Sequence, residues 1–163
     1  MKKYICLILV LLSIFGIQNI AHAQSDGIGI GAIINAPTGL SIKGWINETQ
    51  AIDGALTFHV GDNFSEVYMH SDYLFHVTNS LDVQSGALRF YYGGGVRFIW
   101  SHFSNRFTNQ DDFQIGARGP IGLDYGLDSA NIDIFMELAP TLNVQEDLYF
   151  GFEGGLGFRY FLD

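Results

Sequence analysis

Apolar and polar residues alternate along most of this sequence, and across eight segments the apolar set contains no charged residue. In the fifth segment, Leu88, Phe90 and Tyr92 belong to the apolar set, and Arg89 and Tyr91 lie between them. Alternation with a period of two places successive side chains on opposite faces of a β-strand. After the N-terminal apolar run, no stretch with helical periodicity remains. The pattern therefore predicts strands with one face that never meets a charge.

Turn-forming residues separate these segments. They occur at Asn35-Ala36-Pro37, Asn47-Glu48-Thr49, Gly61-Asp62-Asn63, Asn79-Ser80, Ser104-Asn105, Asp128-Ser129 and Gln145-Glu146-Asp147. Each segment has about the length that a tilted strand needs to cross a bilayer. The sequence predicts an all-β fold, an eight-stranded antiparallel up-and-down transmembrane β-barrel. Pro120 and Pro140 cannot donate a ladder hydrogen bond, so we expect them at bulges or near strand ends.

The N-terminus has the pattern of an export signal. Lys2 and Lys3 precede an apolar run over residues 4–17, and Ala21-His22-Ala23 follows as a cleavage site. We predict a signal peptide at 1–23 and an outer-membrane barrel at 24–163. Cys6 leaves with the signal, so the mature chain has no cysteine for disulfides or metal ligation.

The mature chain is acidic. It keeps all 17 acidic residues, and after Lys2 and Lys3 are removed it has six basic ones, a formal charge of −11. This charge argues against nucleic acid as a partner. The glycine clusters at 93–95 and 154–155 precede no helical segment, so they are not phosphate loops, and we expect no cofactor.

Charges on the polar face nearly balance. The basic ones are Lys43, Arg89, Arg97, Arg118 and Arg159, and the acidic ones are Asp53, Asp72, Asp124, Asp133, Glu137 and Glu153. Such a set can pair inside a narrow lumen while lipid contacts the apolar face, where a charge costs about 2 to 4 kcal/mol near mid-membrane. We therefore predict that the polar face points inward. The alternative is a soluble barrel with the faces reversed, which would bind an apolar ligand.

An ionic network should fill the lumen. Its predicted members are Arg89, Arg97, Arg118, Asp124, Glu137, Glu153 and Arg159. An eight-stranded barrel is just wide enough for side chains to fill, so a polar plug is favoured over a pore. Glu137 and Glu153 are the first candidates for partners of Arg118, because their predicted strands lie one and two places away.

Several glycine- and proline-containing motifs carry a family resemblance. They are Gly29-Ile30-Gly31, Ala36-Pro37-Thr38-Gly39-Leu40 with Lys43, Gly116-Ala117-Arg118-Gly119-Pro120-Ile121-Gly122-Leu123, Glu137-Leu138-Ala139-Pro140 and Gly155-Leu156-Gly157-Phe158-Arg159-Tyr160. With these motifs the chain resembles a family of small, OmpA-like, eight-stranded outer-membrane barrels of unknown function, known from spirochaetes and related bacteria. The resemblance implies the fold and a bacterial outer-membrane location, and it implies no settled activity.

Three histidines are candidates for a metal site. By parity His59, His70 and His76 face the lumen. His70 and His76 are six residues apart on one strand, too far to share an ion without partners from other strands. Hydrogen bonding within a polar core is therefore the favoured role, and we predict no metal site.

His102-Phe103-Ser104-Asn105 suggests one enzymatic alternative. It resembles the His-x-Ser-Asn stretch of the outer-membrane lipid A deacylases, small barrels with a Ser-His-Glu triad, and so implies hydrolysis of a lipid ester by His102 and Ser104. The acid of such a triad is missing, although Asp111 and Asp112 lie close in sequence. The favoured role is non-enzymatic: an integral barrel in outer-membrane lipid, with a plugged lumen and a structural or surface-exposed, adhesin-like role.

Overall fold

The computed structural model describes residues 27–34, 38–83, 86–104, 109–127, 130–144 and 148–162. The predicted signal peptide lies outside these ranges. Nine strands form within them: β1 Ile28–Ile34, β2 Gly39–Asn47, β3 Gln50–Val60, β4 Phe64–Val83, β5 Gly86–Ser104, β6 Asn109–Arg118, β7 Ile121–Leu127, β8 Ile132–Asn143 and β9 Tyr149–Leu162. No helix in the described part of the chain is long and apolar enough to cross a membrane.

All neighbouring strands pair antiparallel and the sheet closes into a ring. β1 pairs with β2 on one side and with β9 on the other, which joins the first and last strands. β6 and β7 occupy a single position in the ring, because both pair with β5 and both pair with β8. The nine strands therefore make eight positions, and the predicted eight-stranded antiparallel barrel is confirmed.

The stagger of the ring follows from the strand register. Starting at Gly31, successive register partners are Ser41, Ala55, His70, Arg97, Gly116, Asn143 and Tyr149. The β9–β1 ladder pairs Gly31 with Arg159 instead, so the ring closes with a shift of ten residues. For eight strands this shift gives a tilt of about 41° and a radius of about 8 Å, a barrel that side chains can fill.

The break between β6 and β7 contains Pro120, and it is not a bulge. On β5, Arg97 pairs with Gly116 and Tyr91 with Gly122, so both strands advance by six residues across the break. Pro120 has no N–H to donate, which interrupts the ladder without shifting it. Pro140 lies within β8 beside the break, where its carbonyl accepts a hydrogen bond from the N–H of Gly119 at 2.9 Å.

One predicted turn is wrong. Asn79-Ser80 lies inside β4, which continues to Val83, and the register shift between Val77 and Leu81 absorbs the extra residues. β5 then begins at Gly86. The residues from Gly86 to Leu88 offer free backbone groups to β4, and this pairing outweighs the local turn preference of asparagine and serine.

The polar face points inward and the apolar face outward. Lys43, Asp124 and Arg159 are almost fully buried, whereas outward residues such as Met136 and Leu156 are more than half exposed. This arrangement is the reverse of a soluble barrel, so that alternative is not supported. A few apolar side chains, including Phe135, also fill the lumen.

The two ends of the barrel differ. At the end that we call the loop end, connections of three to five residues occupy 35–38, 61–63, 105–108 and 144–148. At the opposite, terminal end lie the beginning of β1, the end of β9 and the connections at 48–49, 84–85 and 128–131.

Candidate functional site

Arg118 forms the centre of a group of ion pairs on the loop side of the lumen, which we call the Arg118 cluster. Arg118 contacts three carboxylates: Nη2 donates a short hydrogen bond to Glu137, Nε lies 3.2 Å from Asp72, and Nη1 lies 3.5 Å from Glu153. Arg97 also donates to Glu153. These side chains come from strands β4, β5, β6, β8 and β9, so the cluster ties most of the ring together.

Neutral donors complete the Arg118 cluster. The hydroxyl of Tyr68 donates to Glu153 at 2.5 Å, and that of Tyr91 donates to Glu137 at 3.0 Å. Arg97 donates to the side-chain oxygen of Asn143 at 2.6 Å. Each carboxylate offers several acceptor positions, so two arginines alone could not satisfy three acids. The tyrosines supply further donors to Glu153 and Glu137, whereas Asp72 accepts no hydrogen bond within the described chain.

A second group, the Lys43 cluster, lies nearer the terminal end. Nζ of Lys43 donates to Asp124 at 2.6 Å, and Arg89 donates to the other oxygen of the same carboxylate at 2.8 Å. Nε2 of His76 lies 3.1 Å from Asp124. The ring of Trp45 lies 4.3 Å from Nζ of Lys43 and 4.8 Å from the guanidinium carbon of Arg89, which adds cation–π contacts.

The guanidinium carbon of Arg159 lies over the ring of Phe135, 3.7 Å from the ring centroid. It donates to Asp53 at 2.5 Å and to Ser41 at 2.9 Å. Asp133 joins this Arg159 cluster to the Lys43 cluster, because it lies 3.9 Å from Arg159 and 3.6 Å from Nζ of Lys43. Arg159 is 1% exposed, so these contacts leave little open space around it.

The structure distributes the predicted network over these three clusters. Arg97, Arg118, Glu137 and Glu153 belong to the first, Arg89 and Asp124 to the second, and Arg159 to the third. Lys43, Asp53, Asp72 and Asp133 also take part, although the sequence identified them only as charges of the polar face. Their alternation marked them as inward-facing; only the ring reveals which charges meet.

The histidines occupy different environments. His70 and His76 are buried in the lumen. His59 has the same parity, but it lies near the end of β3 and is exposed to solvent. Arginine can only donate, so Nδ1 of His70 accepts from Arg118 at 2.5 Å. In the described part of the chain, no three His, Cys, Asp or Glu side chains are arranged to hold a metal ion.

A further set of polar residues lies outside the lumen, at the loop end. Ser65 on β4, His102 on β5 and Asp111 on β6 are direct register partners on the outward face, and we call them the rim row. Nδ1 of His102 lies 2.6 Å from the carboxylate of Asp111 and donates to it, since a carboxylate can only accept. Ser104 lies two residues beyond His102 on β5.

The closed ring with a charged interior and an apolar exterior defines a class of β-barrels, and solved structures of that class resemble this chain. The N-terminal β-barrel domain of OprF from Pseudomonas aeruginosa superimposes with a TM-score of 0.62 at 14% identity, over 82% of this chain and 93% of that one. Neisserial surface protein A gives a TM-score of 0.53 at 14% identity, over 83% of this chain and 94% of that one.

The chain belongs to the family described as protein of unknown function DUF3996, whose family model matches residues 20–160. No curated protein matches the sequence. The expected relation to a barrel family of unknown function is thereby confirmed at this level. Its OmpA-like and spirochaete-type character remains a prediction.

Proposed function

We propose that this chain is an integral protein of the bacterial outer membrane, with a plugged lumen and a structural or surface-exposed, adhesin-like role. The observation that carries the proposal is the reversal of the faces: fifteen polar or charged residues are buried within the described ring, while large apolar side chains cover its outside. Contact of such an exterior with water would be unfavourable, whereas contact with lipid is favourable. In this proposal the lipid of the outer membrane contacts the outside of the barrel.

The contacts in the lumen support a structural role for its charges. Within the described chain Asp72 and Asp133 contact cations only through ion pairs of 3.2 to 3.9 Å, whereas the other acids of the lumen also accept hydrogen bonds. Side chains of Lys43, Tyr91 and Arg159 are essentially unexposed. A continuous water path needs open space along the axis, and these side chains occupy it. We propose that the lumen does not conduct.

Cell fractionation combined with a gel assay of heat modifiability tests the membrane location and the barrel together. We expect the protein in the outer-membrane fraction, migrating faster when unheated than when boiled, because a closed barrel resists detergent until heated. Recovery in the periplasmic soluble fraction would contradict the proposal.

Surface exposure can be tested with single cysteines, because the predicted mature chain has none. Asp62→Cys lies in a loop-end connection and Glu48→Cys in a terminal-end turn, and both positions are exposed. A membrane-impermeant maleimide added to intact cells should label Asp62→Cys alone, whereas both should react after lysis. Equal labelling of both in intact cells, or labelling of Glu48→Cys alone, would contradict exposure of the loop end.

Planar-bilayer recordings test the plug. Wild-type protein should give no steady conductance. The variant in which Arg97, Arg118 and Glu153 are all replaced by serine should conduct if it still shows heat modifiability, because it shortens the side chains that fill the loop side of the lumen. Steady conductance through the wild type would show that the lumen is a pore.

A further inference from the structure

The rim row brings a hydroxyl, an imidazole and a carboxylate into direct register on three adjacent strands. Ser65 pairs with His102, and His102 pairs with Asp111. Directly opposed residues on one face of an antiparallel sheet have Cβ atoms about 5 Å apart, so their side chains can touch. The order of the residues across the sheet is serine, histidine, aspartate, with the histidine in the middle.

The orientation of the His102 ring determines which serine hydroxyl could transfer a proton to it. Nδ1 bonds to Asp111 on β6, on one side of the imidazole. The hydrogen-bonding direction of Nε2 diverges widely from that of Nδ1, and Ser65 on β4 is the register partner of His102 on the side opposite β6. Ser104 lies along the same strand rather than across from the ring. Within the described chain the Ser65 hydroxyl makes no hydrogen bond, to His102 or to any other residue, so closing a triad requires its Oγ to rotate toward Nε2.

The row lies at a depth where lipid esters are found. The preceding outward-facing row of the same three strands contains Val67, Trp100 and Phe113, with Trp100 half exposed. Outer-membrane barrels have girdles of aromatic residues on their outside at both membrane interfaces. One further outward position along a strand tilted by 41° rises about 5 Å, which brings the rim row into the head-group region. This step rests on the membrane location proposed above.

We propose that Ser65, His102 and Asp111 form a hydrolytic triad that cleaves carboxylic esters of membrane lipids. Oγ of Ser65 attacks the ester carbonyl carbon while its proton passes to Nε2 of His102. The bond to the lipid alcohol then breaks, and His102 returns the proton to that alcohol. Water hydrolyses the acyl-serine by the same route, which releases a fatty acid and regenerates Ser65. Asp111 holds Nδ1–H and stabilises the imidazolium.

Two features predict slow turnover. The His102 and Asp111 side chains are 39% and 64% exposed, so their interaction is weakened by water. All three residues lie within paired strands, whose backbone N–H groups are engaged in ladders and cannot all turn toward an oxyanion. Covalent labelling of the serine is therefore a more sensitive readout than turnover.

The experiment uses the full protein refolded into vesicles of phosphatidylethanolamine and phosphatidylglycerol, with heat modifiability recorded for every variant. A fluorophosphonate probe should label Ser65, as located by peptide mass spectrometry, and free fatty acid should accumulate. Ser65→Ala should abolish both, and His102→Ala should lower both by about 100-fold or more. Asp111→Asn should lower the labelling rate less than His102→Ala.

Two controls match these variants. Ser71→Ala removes another outward serine of β4, whose partners are Gly54 and Val96, and Asp112→Asn removes the neighbouring acid, which bonds to Gln114 at 2.9 Å. Both should label and hydrolyse as the wild type does. Vesicles containing an acylated outer-membrane glycolipid, run in parallel, show which lipid carries the ester.

The outcomes separate this proposal from the one before it. Folded barrel without labelling or fatty acid release rejects the triad and leaves the membrane barrel standing. Labelling at Ser104, or hydrolysis that survives Ser65→Ala, also overturns the triad. Failure of the wild type to insert and fold in vesicles instead counts against the proposed membrane function.

Discussion

His76 in the lumen and His102 on the rim each contact an aspartate. Nε2 of His76 lies 3.1 Å from Asp124, a carboxylate that Lys43 and Arg89 also contact, and the pair is buried. His102 contacts only Asp111 among these charged groups, and its side chain is 39% exposed. The residue types are the same, and their surroundings differ.

This difference separates the groups that stabilise the barrel from the groups that could take part in a reaction. In the lumen every charged group of the three clusters contacts at least one group of opposite charge, so a ligand or substrate would have to displace existing contacts, and the contacts serve to hold the ring closed. On the rim one imidazole nitrogen is bound, and the register partner Ser65 makes no hydrogen bond within the described residues, so the proposed triad would need only a rotation of its hydroxyl to transfer a proton. Removal of a lumen group should therefore change stability, whereas removal of a rim group should change reactivity only.

The largest effect on stability should come from the Arg118 cluster. Arg118→Met leaves Glu137, Asp72 and Glu153 short of a cation, and we expect the free energy of unfolding to fall by about 3 to 5 kcal/mol. Unfolding by urea in lipid vesicles, followed by heat modifiability, measures it.

A double-mutant cycle with Glu137→Gln should recover part of this loss, because it removes one uncompensated charge. Asp124→Asn is the control, since Asp124 belongs to the Lys43 cluster and should couple only weakly to Arg118. Strictly additive effects for Arg118 and Glu137 would show that their contact contributes nothing.

A charged side chain in the middle of the outer face should lower the stability of the barrel. Leu138→Arg places a cation on the exposed apolar surface of β8, and we expect a loss of about 2 to 4 kcal/mol in lipid vesicles. Val144→Arg lies just past the end of the same strand, where the loss should be at most about 1 kcal/mol. Equal losses at both positions would mean that the membrane does not cover the middle of β8.

Glycines test how tightly the lumen is filled. A Cβ at Gly122 would strike the ring of Tyr91 and the carbonyl of Met136, so Gly122→Ala should cost about 1 to 3 kcal/mol. At outward-facing Gly94 a Cβ meets no atom within 4 Å, and Gly94→Ala should change the unfolding free energy by less than about 1 kcal/mol. If both variants unfold at the same urea concentration, the lumen has more room than its contacts indicate.

The smallest effects should distinguish the two histidines themselves. His76→Ala removes contacts with Asp124 and with the ring of Trp45, 4.3 Å away, and should cost about 1 to 3 kcal/mol. His102→Ala should change stability by less than about 0.5 kcal/mol, because both members of its ion pair are solvent-accessible. A loss of similar size for the two variants would remove the distinction between lumen and rim.

Much of the fold could be predicted from the sequence, because strand alternation is a local property. Parity placed Arg118, Glu137 and Asp124 on the inner face and Phe90 on the outer one, and the structure has them there. Local signals failed where pairing with a distant segment prevailed. Asn79-Ser80 predicted a turn, but β5 offered partners to the residues that follow, and the strand continued.

The candidate sites were less predictable. Arg118 was assigned Glu137 and Glu153 as first partners, and the structure brings both into contact with it, together with Asp72 from β4. The His102 motif suggested Ser104 because it is near in sequence. The register instead sets Ser65, 37 residues away, directly across from the imidazole.

The sequence by itself determined that the chain forms strands, that each strand has a charge-free face, and which residues belong to it. These follow from the order of side chains along one strand, which alternates whatever the neighbours are. Only the tertiary structure decided which charges meet. Closing eight strands with a shift of ten residues brings Arg159 to Asp53, and no local pattern encodes that shift. It is fixed by all the pairings around the ring at once, since a slip in any one of them would move every partner beyond it.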